Sequence, residues 1–246
     1  QGNLLLETGS STDASGSIQI LTGSSNSDSS GNIQIKGGEN VAGEGSSITI
    51  GAGDSLGATG GQLVLSSGSS ETGTSGNVDV STGNDSVDSG SINIQSGTSS
   101  GGSSGTVMLE SGSALGGSSG SIQVRTGQTA AQGTQGSISL SIGESTSPLG
   151  GSITLNSGTS NSEGQSGGDI NIITKSTNMP TQESGSILLA TGTSETGNSG
   201  DLTMNTGNSK ESSGSIVAKA GSSSVGEGGS VIFSAGDSVG STGGSV

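Results

Sequence analysis

The sequence contains no cysteine, histidine, tryptophan or tyrosine, and it has a single phenylalanine. Without histidine and cysteine, the chain lacks the commonest general base, the thiolate nucleophile and the usual zinc ligands. Serine is abundant, but the lysines that could activate a hydroxyl are scattered along the chain. We therefore expect no enzyme, no catalytic residues, no bound cofactor and no metal site. The absence of cysteine leaves the redox compartment open.

Positive charge is also scarce, because five basic residues stand against twenty acidic ones and give a net charge of −15. This charge disfavours nucleic acid and anionic membrane surfaces as partners. No apolar run approaches the roughly 18 residues of a membrane span. The chain begins at Gln1 without a signal-like segment and stops at "GGSV", partway through a repeat. We expect it to be a segment of a longer chain.

What the sequence does contain is 51 glycines and only 24% hydrophobic residues, which by composition alone is typical of a disordered linker. A repeat argues against that interpretation, since "GSIQILTG" at 16–23 returns as "GSINIQSG" at 90–97. Most repeats are 15 residues long, and the extremes are 14 and 17. The first aliphatic residues of the repeats form a column, here named the first column. Its members are Leu4, Ile18, Ile33, Ile48, Leu63, Val78, Ile92, Val107, Ile122, Ile138, Ile153, Ile170, Ile187, Leu202, Ile216, Val231 and Val246.

A second apolar column follows two residues later in each repeat. It comprises Leu6, Ile20, Ile35, Ile50, Leu65, Val80, Ile94, Leu109, Val124, Leu140, Leu155, Ile172, Leu189, Met204, Ala218 and Phe233. A small residue such as Thr22 comes two positions further on. This period of two, with mostly β-branched or Leu members, predicts a strand.

Two glycine columns flank each predicted strand, and they indicate tight corners where the backbone is left-handed or has no room for a Cβ atom. Between two predicted strands lies a Ser-rich stretch, here named the polar arm, such as "SSNSDSS" at 24–30. A serine column in the polar arm, with Ser25 and Ser55 among its members, is predicted to face a thin interior. The pattern predicts an all-β fold: a flattened β-solenoid of about sixteen coils stacked roughly 4.8 Å apart. We expect one continuous domain over residues 1–246.

The predicted core is thin, because each coil buries only about two aliphatic side chains against the cost of ordering fifteen residues. We therefore expect self-association into a homo-oligomer or filament, end to end or laterally, with glycans or divalent cations as further partners.

Three alternatives to a purely structural role stay open at this point. The carboxylates of the polar arm keep no common offset, so they favour diffuse calcium association over a closed site. Ice binding needs a regular outward threonine face, whereas the residues between the two columns are irregular. An adhesin-like stalk would use the surface to bind glycan, mineral or calcium.

Two local features depart from the repeat. The only N-glycosylation sequon is "NDS" at 84–86. The coil between Ile170 and Ile187 is 17 residues long, with Lys175 at a corner glycine and Met179 and Pro180 in its loop. We interpret this coil as a loop bulge, or alternatively as a lateral contact in an assembly.

The repeating unit G-S-I-x-I-x-[TS]-G, with spacers rich in Ser, Gly and Asp, resembles low-complexity repeat proteins of unicellular algae and other protists, diatoms among them. Bacterial adhesins are similar to it in the same respect. The resemblance covers essentially the whole chain. It implies a secreted or cell-surface matrix component with a structural role, and it carries over no functional residue.

Overall fold

The computed structural model describes residues 2–130, 133–146, 149–162, 165–176 and 183–246. Within these ranges the chain forms no helix and no strand, and it bends sharply at intervals of about one repeat. The predicted all-β solenoid is therefore wrong for the described part of the chain.

The surface area shows why the predicted core is missing. The chain exposes 24767 Å², whereas a compact protein of its 23.1 kDa mass would expose about 9,700 Å² and its fully unfolded chain about 33,000 Å². No described side chain is buried. Two aliphatic residues per repeat bury too little surface to offset the conformational entropy of fifteen ordered residues, so the repeats do not stack.

Each repeat nevertheless has two distinct parts. We name the seven residues from the leading glycine to the small residue, such as 16–22, the aliphatic segment. We name the residues between two such segments, such as 23–30, the polar loop. Each aliphatic segment has the same length, while the polar loops hold seven to ten residues. The variation in repeat length therefore lies entirely in the loops.

Backbone hydrogen bonds in the described residues close single loops and do not join one aliphatic segment to another. Gly61 N–H donates to Gly53 O at 2.8 Å, and Gly76 N–H donates to Gly68 O at 3.0 Å. The same closure recurs from Gly168 to Gly158, from Gly229 to Gly221 and from Gly244 to Gly236, each at 2.9 Å. In these five loops the backbone bond closes the loop on itself, and none of the backbone bonds of the described residues joins two repeats as in a sheet.

The chain divides into two units, Gln1–Gln123 and Val124–Val246. The first unit contains the loops that close at Gly53 and Gly68, and the second contains those that close at Gly158, Gly221 and Gly236. Both units carry the same alternation of segment and loop. One continuous domain over residues 1–246 stays a prediction. The irregular residues Met179 and Pro180 lie outside the described residues.

Candidate interaction surface

Each polar loop narrows to a neck, where the last residue of one segment faces the first residue of the next. The first residue is glycine in every pair but one, and the last residue is small in every repeat except the one that ends at Ile142. A Cβ built on Gly16 would lie 3.3 Å from Thr8 Cγ2, and one built on Gly61 would lie 3.2 Å from Ala52 Cβ. These neck pairs are Thr8–Gly16, Thr22–Gly31, Gly37–Ser46, Ala52–Gly61, Ser67–Gly76, Thr82–Gly90, Ser96–Gly105, Ser111–Gly120, Thr126–Gly136, Ile142–Gly151, Ser157–Gly168, Thr174–Gly185, Thr191–Gly200, Thr206–Gly214, Ala220–Gly229 and Ala235–Gly244.

One neck pair is inverted, and it indicates that glycine is present at the necks because the two chain segments approach closely there. Where Ser46 replaces the leading glycine, the facing residue is itself a glycine, Gly37. A Cβ added to Gly37 would lie only 2.8 Å from Ser46 Cβ, a distance at which one atom must move. Ser46 Oγ donates to Gly38 O at 3.0 Å, and this bond stands in the place of the backbone bond found at five other necks. The neck therefore needs one glycine, on either side.

The two glycine columns differ in what surrounds them. None of the described glycines has a left-handed backbone, so the predicted left-handed corners are wrong. The leading glycines make close approaches at the necks. The corner glycines, such as Gly53 and Gly68, have open space where a Cβ would be. Close approach thus accounts for one glycine column and not for the other.

The serine column closes the loop tips and does not face an interior, so that prediction is wrong as well. Ser55 Oγ accepts the N–H of Ala58 at 2.9 Å, and Ser194 Oγ accepts the N–H of Gly197 at 3.0 Å. The same bond is made by Ser70, Ser99, Ser223 and Ser238. These side chains supply the turn bond that serine favours near the backbone.

Two residues outside the serine column accept the same kind of turn hydrogen bond, and the sequence analysis did not assign them to turns. Asn40 Oδ1 accepts the N–H groups of Ala42 and Gly43, both at 3.0 Å. Asp85 Oδ1 accepts the N–H of Val87 at 3.1 Å. Both lie near the position of the serine column in loops that lack that serine, and Asn and Asp are the residues that can replace serine in such turns. Their position in the repeat was the available signal.

The aliphatic segments expose their apolar columns to different extents. Between the terminal repeats, first-column side chains are 48% (Ile18) to 60% (Ile216) exposed. The large second-column side chains are 62% (Leu189) to 79% (Ile94) exposed. The two ranges do not overlap. Of the two apolar columns, the second is therefore the more exposed, and it presents one aliphatic or Met or Phe side chain in nearly every repeat. The residues between the columns reach higher exposure, as at Leu188 (85%), but only some repeats have an apolar residue there.

Negative charge is concentrated away from these segments. The aliphatic segments contain five acidic residues, Glu7, Asp79, Glu110, Asp169 and Asp201, against three basic ones, Lys36, Arg125 and Lys219. The loops hold the other fifteen acidic residues and only two lysines. Nearly all of the electrostatic repulsion between two copies would therefore arise from their loops.

The described residues offer little coordination or acid–base chemistry. No three acidic side chains lie together among them in a group that could hold a metal ion. A surface concavity is lined by Arg125, Thr126, Gly127 and Gln128, which include no carboxylate to activate the threonine hydroxyl. The described part of the chain contains no helix that is long and apolar enough to cross a membrane. Comparison with family models, curated proteins and solved structures gave no match for this chain.

Proposed function

We propose that this chain is a non-enzymatic structural segment of an extracellular filament, fibre or cell-surface matrix, in which aliphatic segments bind other copies and polar loops hold them apart. The observation that carries the proposal is the regular alternation of exposed aliphatic segments with loops that close on themselves. A repeated array of weak contacts gains avidity from its multiplicity, without any single strong site.

The loops suit the role of hydrated spacers. Several of their serine hydroxyls and glycine carbonyls accept hydrogen bonds within the loop, which makes these acceptors less available to a neighbouring chain. Ser70 Oγ accepts the N–H of Gly73, and Gly68 O accepts the N–H of Gly76. Their fifteen carboxylates keep the chain soluble and attract cations diffusely. We infer a loose association with calcium and no resident cofactor.

Placement outside the cell agrees with the sequon at Asn84, which lies on an exposed loop. The net charge of −15 disfavours nucleic acid as a partner. Catalysis is disfavoured by the missing histidine and cysteine. The sequon, the negative charge and the missing histidine and cysteine all support a secreted structural role.

Sedimentation and light scattering of the purified chain over rising concentration test the proposal. We expect reversible, concentration-dependent association at physiological ionic strength. A composition-matched variant, in which second-column residues exchange places with loop serines, is the control, and it should associate more weakly. A chain that stays monomeric as it is concentrated, or a control that associates equally well, would contradict the proposal.

A further inference from the structure

The two apolar columns differ in a way that bears on how copies meet. The second column is more exposed than the first in every internal repeat that has a large residue in both columns. The difference holds in both units of the chain, as shown by Ile18 and Ile20 in the first and by Ile153 and Leu155 in the second. A feature that recurs in each repeat offers a partner the same contact many times.

We propose that the second column is the surface through which another copy of this chain binds, while the first column contributes little to that contact. This inference rests on the proposed function, because it names the part of each segment that makes the association. The partner that fits this surface is a second copy of the chain. Its second-column residues repeat at the same intervals, so the second columns of two copies can contact each other at many points.

The available area is modest for such a contact. Roughly 70 Å² of apolar surface remains to be covered on each second-column side chain. The eight second-column residues of one unit give roughly 550 Å², compared with the roughly 800 Å² per partner of a standard stable interface. Any one repeat by itself supplies far less than that. The contact is therefore weak per repeat and depends on several repeats acting together.

Charge favours the same surface. The aliphatic segments are close to neutral as a set, whereas the loops carry most of the negative charge. The second-column residues Ile20 and Ile50 have no charged residue within their own segments. Two copies that meet through these segments can keep their acidic loops apart.

Isolated aliphatic residues at loop tips are a weaker candidate for the contact. Val41 and Leu56 are almost fully exposed, but only some loops carry such a residue. Single exposed apolar residues are common on protein surfaces. They give a useful third variant for the test.

Three triple variants of the full chain separate these surfaces. The first is Ile20→Ser, Ile35→Ser and Ile50→Ser in the second column. The matched control is Ile18→Ser, Ile33→Ser and Ile48→Ser, which makes the same chemical change in the same three repeats. The third is Val41→Ser, Leu56→Ser and Leu115→Ser at loop tips. Because no described side chain is buried, none of these substitutions removes a folded core.

We expect the second-column variant to raise the concentration for half-association about tenfold, and the other two variants to change it less than about twofold. Equal losses in the two column variants, or a larger loss in the first-column or loop-tip variant, would overturn the inference while leaving the proposed function standing. Failure of the unmodified chain to associate would overturn the proposed function instead.

Discussion

The aliphatic segments are the regular part of the sequence, whereas the polar loops are the regular part of the structure. The segments have a fixed length and a strict apolar pattern, yet backbone bonding joins none of the described ones to another. The loops vary in length and composition, yet they carry the recurring hydrogen bonds and necks of the chain. Local bonds form at small entropic cost, whereas contacts between repeats must order many residues at once.

Adding charge to the segments should have the largest effect. Replacing Ile20, Ile35 and Ile50 by Asp is expected to weaken association more than about a hundredfold, because each change removes apolar area and adds repulsion to the contact. Light scattering measures the loss. The charge-matched control carries Asp at loop positions Ser24, Ser30 and Thr59 and should weaken association much less. Equal loss in both variants would place the contact in the loops.

Ionic strength should act on the loops. Raising the salt concentration from about 50 to about 500 mM shortens the screening length and should strengthen association about tenfold, because the loops carry most of the negative charge. Sedimentation at fixed protein concentration gives the measurement. A neutral osmolyte at matched osmolality is the control for crowding. Weaker association at high salt would show that ionic contacts hold the copies together.

The inverted neck allows a rescue experiment. Gly37→Ala should open the loop at 38–45, since the new Cβ would lie 2.8 Å from Ser46 Cβ. We expect about a fivefold fall in the closed population, which corresponds to about 1 kcal/mol. Nuclear Overhauser contacts between the two neck residues measure it. The double variant Gly37→Ala with Ser46→Gly restores the arrangement of the other necks and should recover closure. No rescue would mean that close approach is not the reason for glycine there.

The smallest effect is expected at the serine turns. Ser55→Ala removes the acceptor of the Ala58 N–H and should increase amide exchange at Ala58 about two- to fivefold, since an exposed hydrogen bond contributes about 0.5–1 kcal/mol. Ser55→Thr keeps the hydroxyl and is the matched control. If both variants exchange at the unmodified rate, the hydroxyl does not hold the turn.

One local prediction was confirmed, namely that glycine is needed where the backbone leaves no room for a Cβ atom, whereas the predicted strands, left-handed glycines and stacked repeats were wrong. The repeat itself and the requirement for glycine at positions such as Gly61 follow from spacing, because chain neighbours impose them. The role of Ser55 was predicted wrongly, since an interior was assumed that its hydroxyl would face. Its actual partner is three residues away, within reach of sequence reasoning about serine turns.

The sequence by itself determined the period, the confinement of length variation to the loops, the concentration of acidic residues in the loops, and the shortage of catalytic side chains. Each of these depends on residue type and spacing alone. Only the tertiary structure decided whether the aliphatic segments stack, and in the described residues they do not. That outcome depends on a small difference between the free energy gained by apolar burial and the conformational entropy lost on ordering, both summed over residues distant in sequence. The periodicity of the sequence does not show which of the two is larger.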